Sequence, residues 1–142
     1  MKVERFEDLE TWQVARELTN VIYGLTKQDV IRRDFGFVDQ IRRASVSIMN
    51  NIAEGFERGS NKDFAKFMFI ARGSAGEVRS MLYVAKDQGY INAEQFADAH
   101  QLAVRSSQLC WGTIKHLQKT GEWKTGVYIA LIALFPSLLH VL

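Results

Sequence analysis

Three histidines, one cysteine and a scatter of carboxylates are the residues on which catalysis or metal binding would have to rest. Di-metal centres in helical bundles use Glu-x-x-His, yet the residues three before His100, His116 and His140 are Ala97, Thr113 and Ser137. No His-Glu-x-x-His occurs, and a lone Cys110 cannot build a zinc cluster. The ten glycines never form Gly-x-Gly, and no phosphate-cradling Gly-x-x-x-x-Gly-Lys-Ser/Thr is present. Cys110 and His116, six apart on one helical stretch, point to different sides, so no nucleophile–base pair is expected between them. Cys110 on an apolar stripe reads as a small core residue, and His100 and His116 as surface or boundary residues. Neither a metal, nor a cofactor, nor enzymatic activity is expected.

The cations have more pattern. Arg42 and Arg43 are adjacent, while Arg72, Arg79 and Lys86 recur every seven residues and so line one side of a helix. With Arg58, Lys62 and Lys66 they make a candidate basic surface that could track the phosphates of RNA or DNA. The competing reading pairs these charges with Glu54, Glu57, Glu77 and Asp87. The interleaving of acids puts that paired reading ahead. The net charge of +2 and pI near 8.8 permit a nucleic-acid partner but fall short of a dedicated binding domain.

A second constellation is structural. Asn51 and Glu54 fall toward the inner side of their helix beside Ile48 and Ile52, and Ser47 completes the polar cluster. A buried carboxylate needs a partner, for which Arg43 or Arg72 is in place. The cluster is expected to fix helix register and subunit contacts, as a polar group in a coiled-coil core does.

The elements that must carry these residues are helices. In 142 residues there is one proline, Pro136, so almost nothing breaks a helix and the turn chemistry of sandwiches and barrels is missing. The 47% apolar and 24% charged fractions suit one soluble globular domain. A single cysteine allows no internal disulfide, and the N-terminus has no apolar signal region, which together point to the cytoplasm.

Apolar residues at spacings of three and four mark four stretches. The first, residues 6–27, carries Leu9, Trp12, Ala15, Leu18, Val21, Ile22 and Leu25 on one face, and a polar connection follows through residue 36. The second, residues 37–55, buries Ile41, Ala44, Ser45, Ile48, Ile52 and Phe56, with Gly55 and Gly59 as stop signals. The third starts at Ser60 or Asn61 and ends at Gly89. Its stripe is Phe64, Phe67, Met68, Ala71, Ala75, Val78, Leu82 and Ala85. Its interior Gly73 and Gly76 should cost about 1 kcal/mol each against alanine, so they predict close approach of another backbone. The fourth opens with the capping-box pair Asn92 and Gln95 and ends at Gly121, burying Phe96, Ala99, Leu102, Ala103, Ser106, Leu109, Cys110, Thr113 and Leu117. Short links between helices of this length predict an all-α fold, an antiparallel up-down-up-down four-helix bundle over residues 1–121.

Residues 122–142 form an apolar C-terminal extension. From Thr125 onward it is uncharged and apolar on every side, and three readings stay open: packing on the bundle or an oligomer interface, a membrane anchor, or an accidental extension of the reading frame. The first and third are favoured, so no membrane partner is expected.

The run from Gln40 to Gly59, with Arg42-Arg43-Ala44, Ser47 and Asn51-Ile52-Ala53-Glu54-Gly55 inside it, resembles the signature of the 23S rRNA-intervening sequence proteins. Phe6-Glu7-Asp8-Leu9-Glu10-Thr11-Trp12-Gln13, Phe67-Met68-Phe69-Ile70-Ala71-Arg72-Gly73-Ser74 and Gly89-Tyr90-Ile91 resemble the same family, and the similarity spans about residues 4–120. The resemblance implies an antiparallel four-helix bundle that assembles into a ring of five subunits and has no established enzymatic activity. It also implies kinship with the accessory subunit of diversity-generating retroelements, which binds nucleic acid and a reverse transcriptase. Met49 stands where the family usually has proline, and the tail after Thr125 has no counterpart. The leading expectation is a non-catalytic, self-assembling homo-oligomer that binds nucleic acid or a nucleic-acid-bound protein. A protein-binding adaptor or structural oligomer is the alternative. A nuclease using Glu54 and Asp87 from different chains on a metal is a distant third.

Overall fold

A computed structural model describes residues 3–120, and every regular element among them is helical. A 3-10 turn, Phe6–Asp8, leads into α1 (Glu10–Leu25), a one-turn α2 (Asp29–Arg32), α3 (Phe35–Glu57), α4 (Asn61–Asp87) and α5 (Ala93–Thr120). The apolar extension and its boundary at residues 121 and 122 lie outside the described residues, as does His140.

Three of the four long helices, α3, α4 and α5, start at a side-chain cap, while α1 follows Leu9 with none. Asp34 caps α3 by accepting the Phe37 N–H at 3.2 Å. Ser60 caps α4 through the Asp63 N–H at 3.1 Å, while its own hydroxyl donates to the Asp63 carboxylate at 2.9 Å. The Asn92–Gln95 capping box closes in both directions, at 2.8 and 3.0 Å. Gly59 and Gly89 sit at φ +77° and +72°, the left-handed region where a glycine ends a helix without strain.

Helix α1 packs on α3 and α5, and α4 packs on the same two. Cross-helix contacts run in reverse order along each strongly packed neighbour. Thr19 reaches the Ser45 carbonyl and Arg42 reaches Thr26 between α1 and α3. Ser47 meets Ser74 and Gln40 meets Glu77 between α3 and α4. Phe69 meets Trp111 and Tyr83 meets Phe96 between α4 and α5. The enclosed core holds Leu18, Ile22, Ile41, Ile48, Ile52, Phe64, Met68, Leu82, Leu109 and Ile114. The expected stripes are its backbone, although Trp12, Val21, Leu25, Phe56, Phe67, Phe96 and Leu102 are only half-buried.

Several expectations give way. The connection after α1 is more than a polar link, because α2 turns Ile31 inward until it is 1% exposed. Gly55 lies inside α3, buried, and stops nothing. A Cβ there would lie 2.6 Å from the Cβ of Phe67, so the missing side chain is what lets α3 and α4 close. Gly73 and Gly76, by contrast, are exposed and have nothing within 4 Å of an added Cβ, so no second backbone approaches them within the described chain. Helix α3 runs unbroken through Met49. Among the described residues no helix is long and apolar enough to cross a membrane.

Two glycine substitutions should therefore move stability in opposite directions. Gly55→Ala forces a methyl against a rigid Cβ and is expected to cost about 1–3 kcal/mol. Gly73→Ala meets only solvent and should add about 0.5–1 kcal/mol. Urea midpoints measured at one protein concentration decide both, and equal shifts would contradict the packing at Gly55.

Candidate nucleic-acid interface

The eight candidate cations do not form one surface. Arg42 is half-buried against α1, donating to the Thr26 hydroxyl at 2.8 Å with its guanidinium 4.6 Å from the centre of the Tyr23 ring. Arg43 pairs with Asp39 at 2.9 Å, one turn away on the same exposed face. Arg58 pairs with Glu54 at 2.8 Å and lies 5.1 Å over the Phe67 ring. The Glu54 carboxylate keeps the Arg58 guanidinium protonated above its ordinary range.

The remaining five share α4. Arg72 lies 4.7 Å over the ring of Trp111, and Lys86 lies 4.7 Å over the ring of Phe96, both rings belonging to α5. Arg79, between them in the seven-residue row, makes no ion pair and covers no ring among the described residues. Lys62 and Lys66 flank a shallow groove whose floor is Ala65, Phe69, Ile70 and Leu117, and neither has a carboxylate partner among the described residues. The expected pairing with Glu54, Glu57, Glu77 and Asp87 is thus met only by Arg58 with Glu54. Glu77 instead accepts from the Gln40 amide at 3.3 Å, across from α3.

The reason is geometric. Arg72, Arg79 and Lys86 face α5, while Glu77 faces α3. The i,i+4 spacing that pairs Arg58 with Glu54 and Arg43 with Asp39 offers no acid to the row on α4. An aromatic face is then the nearest electron-rich surface, and a cation over it gains about 0.5–1 kcal/mol at an exposed site. The seven-residue spacing was readable in the sequence. The rings opposite were not, because nothing in a single chain states which residues of α5 oppose α4.

The polar cluster divides as well. Ser47 and Ser74 share a hydrogen bond at 2.9 Å across α3 and α4, and the Asn51 amide donates to the Ser47 carbonyl and hydroxyl at 2.8 and 3.0 Å. Glu54, expected to be buried with Arg43 or Arg72, is exposed and satisfied by Arg58 alone. Asn51 and Glu54 lie three residues apart on α3, about 60° around the helix, and with Ser47 they line one open groove beside Arg42 and Arg43. Asn51 faces α4, and Glu54 clears the helix edge into water.

No group of three His, Cys, Asp or Glu that could hold a metal occurs among the described residues. Burial pushes the Cys110 thiol up to about 12, against a smaller downward pull from Arg72. A thiol held neutral in this way packs rather than reacts. His116 is half-buried, as expected of a boundary residue. His100 is also half-buried, stacked on Phe96 at 5.1 Å and edge-on to Tyr83 at 5.6 Å, and its Nε2 is buried without a partner among the described residues.

The family model described as 23S rRNA-intervening sequence protein matches residues 7–112. A crystal structure of a protein of unknown function from the S23 ribosomal protein family, from Bacteroides thetaiotaomicron, is similar at 27% identity and a TM-score of 0.69. The similarity covers 74% of this chain and 95% of that one. No curated protein matches the chain.

Two measurements check the local geometry. Ser47→Ala and Asn51→Ala should each cost about 1 kcal/mol of stability, whereas Glu54→Ala should leave the urea midpoint unmoved because its one ion pair is solvated. Cys110 should resist alkylation at pH 8 in the native protein and react at once in denaturant. Rapid labelling of the folded chain would contradict its burial.

Proposed function

We propose, from the premise that this chain belongs to the family of 23S rRNA-intervening sequence proteins, that it is a non-catalytic, self-assembling bundle that binds nucleic acid. The proposed architecture is the antiparallel up-down-up-down four-helix bundle, a reading supported by the reversed contact order between packed helices. Assembly, into a ring of five as the family resemblance suggests, draws support from apolar side chains left in solvent. Phe35 is 81% exposed and Val30 56%, and Ile70 and Val84 on α4 are each 45% exposed.

One observation carries the nucleic-acid reading: among the described residues the row Arg72, Arg79 and Lys86 pairs with no carboxylate. Two of the three are steadied on aromatic rings. Unneutralised cations held along one helix edge suit a polyanion, because each phosphate they neutralise releases a counterion. The same helix exposes Ile70 and Val84, which favours the second reading, a protein-binding adaptor without nucleic-acid affinity.

Salt separates the two. Retention on RNA or DNA at low salt should fall steeply as salt rises, and the double variant Arg72→Ala, Arg79→Ala should flatten the slope of log affinity against log salt by about two. Absence of retention at low salt would hand the function to the adaptor reading.

A further inference from the structure

Two parallel rows run along the edge of α4 that meets α5. One is Arg72, Arg79 and Lys86. The other is Lys62, Phe69, Gly76 and Tyr83, again at intervals of seven. Together with α5 they make two similar clusters, each an aromatic pair with a cation on it. Phe69 meets Trp111 edge-on at 6.3 Å with Arg72 on the indole. Tyr83 meets Phe96 edge-on at 5.0 Å with Lys86 on the phenyl ring and His100 stacked beyond it. Phe69 is 47% exposed and Tyr83 50%, so each cluster offers an aromatic side chain to solvent. They are fourteen residues apart on one helix, about 21 Å. Between them lie Arg79, which has no ring or carboxylate partner among the described residues, and Gly76, beside which nothing stands within 4 Å of an absent Cβ.

We infer that this α4–α5 seam is a track for single-stranded nucleic acid. Bases stack on the Phe69 and Tyr83 clusters, and the intervening phosphates run past Gly76 to Arg79. The inference rests on the nucleic-acid reading above and adds to it the strandedness and the stacking residues. A duplex keeps the faces of its bases stacked on one another, so only an unpaired strand can use two aromatic platforms. An apolar partner helix would call for a continuous stripe. Here the aromatic surface is broken into two islands with three cations threaded along it, the alternation that a polymer of flat rings and negative linkers repeats. Gly76 lowers the surface at the midpoint, where a strand backbone can come close to α4.

The test uses the full chain and fluorescein-labelled single strands of about 16 nucleotides, with the matching duplex, in anisotropy titrations at several salt concentrations. The wild type should bind the single strand about tenfold or more tightly than the duplex. Phe69→Leu with Tyr83→Leu keeps apolar bulk but removes both π faces. It should weaken single-strand binding about tenfold or more and leave duplex binding within about twofold. Arg79→Gln should weaken both and lower the salt slope by about one. Equal affinity for strand and duplex, unmoved by the leucine pair but reduced by Arg79→Gln, would overturn the stacking track and leave the basic edge standing. No binding to either at low salt would remove both. A leucine pair that changes the solution mass while single-strand affinity stays constant would also overturn the track, making the seam a protein interface.

Discussion

Where α3 crosses α4, Gly55 faces Phe64 and Phe67 with less room than a methyl group needs. This contact limits how closely and at what register the two helices lie. A larger residue at position 55 would push them apart or slide them, and the hydrogen bond between Ser47 and Ser74 farther along the same interface would fail with it. The rotation of α4 about its own axis follows from the same contact. With Phe64, Met68, Ala71, Ala75, Val78 and Leu82 committed to the core, Phe67 and Ser74 must face α3, and Arg72, Arg79 and Lys86 must face α5. A tight fit on one side of α4 thereby decides the chemistry shown on the other.

The electrostatics of that other side are unusual in a chain of modest net charge. Exposed cations normally find acids a turn away, as Arg43 and Arg58 do. Along the α5 edge of α4 no acid is within reach among the described residues, and the guanidinium of Arg72 and the ammonium of Lys86 lie over rings instead. Such contacts are weak and leave each cation's charge uncancelled. They also restrict side chains that are otherwise long and flexible. Arg72 is felt inside the bundle as well, where it opposes, without overcoming, the effect of burial on the Cys110 thiol.

Local signals were legible wherever a few neighbouring residues suffice to decide the outcome. The Asn92–Gln95 box, the Ser60 cap and the glycine stops at Gly59 and Gly89 all lie where spacing places them, because capping uses groups within four residues of one another. The buried stripes were legible for the same reason. The sequence misleads where a residue's role depends on a distant partner. Gly55 reads as a stop until Phe67 is set against it, and Gly73 and Gly76 read as a close crossing until both are found exposed with nothing near an added Cβ. Glu54 reads as buried until it is found exposed and paired with Arg58. Ile31 was hidden in a polar link because one turn of helix is too short for periodicity to reveal.

The amino-acid pattern by itself determined the helical class, the helix limits to within a few residues, the lack of familiar catalytic and metal motifs, and the seven-residue row of cations. The first two and the cation row follow from short-range periodicity and local hydrogen bonding, and the missing motifs from residue identity and spacing alone. Tertiary structure alone decided which rings those cations meet, which glycine is a contact and which is open, and which polar residues of α3 face α4. These choices depend on helix rotation and register, and both are set by packing between residues far apart in the chain.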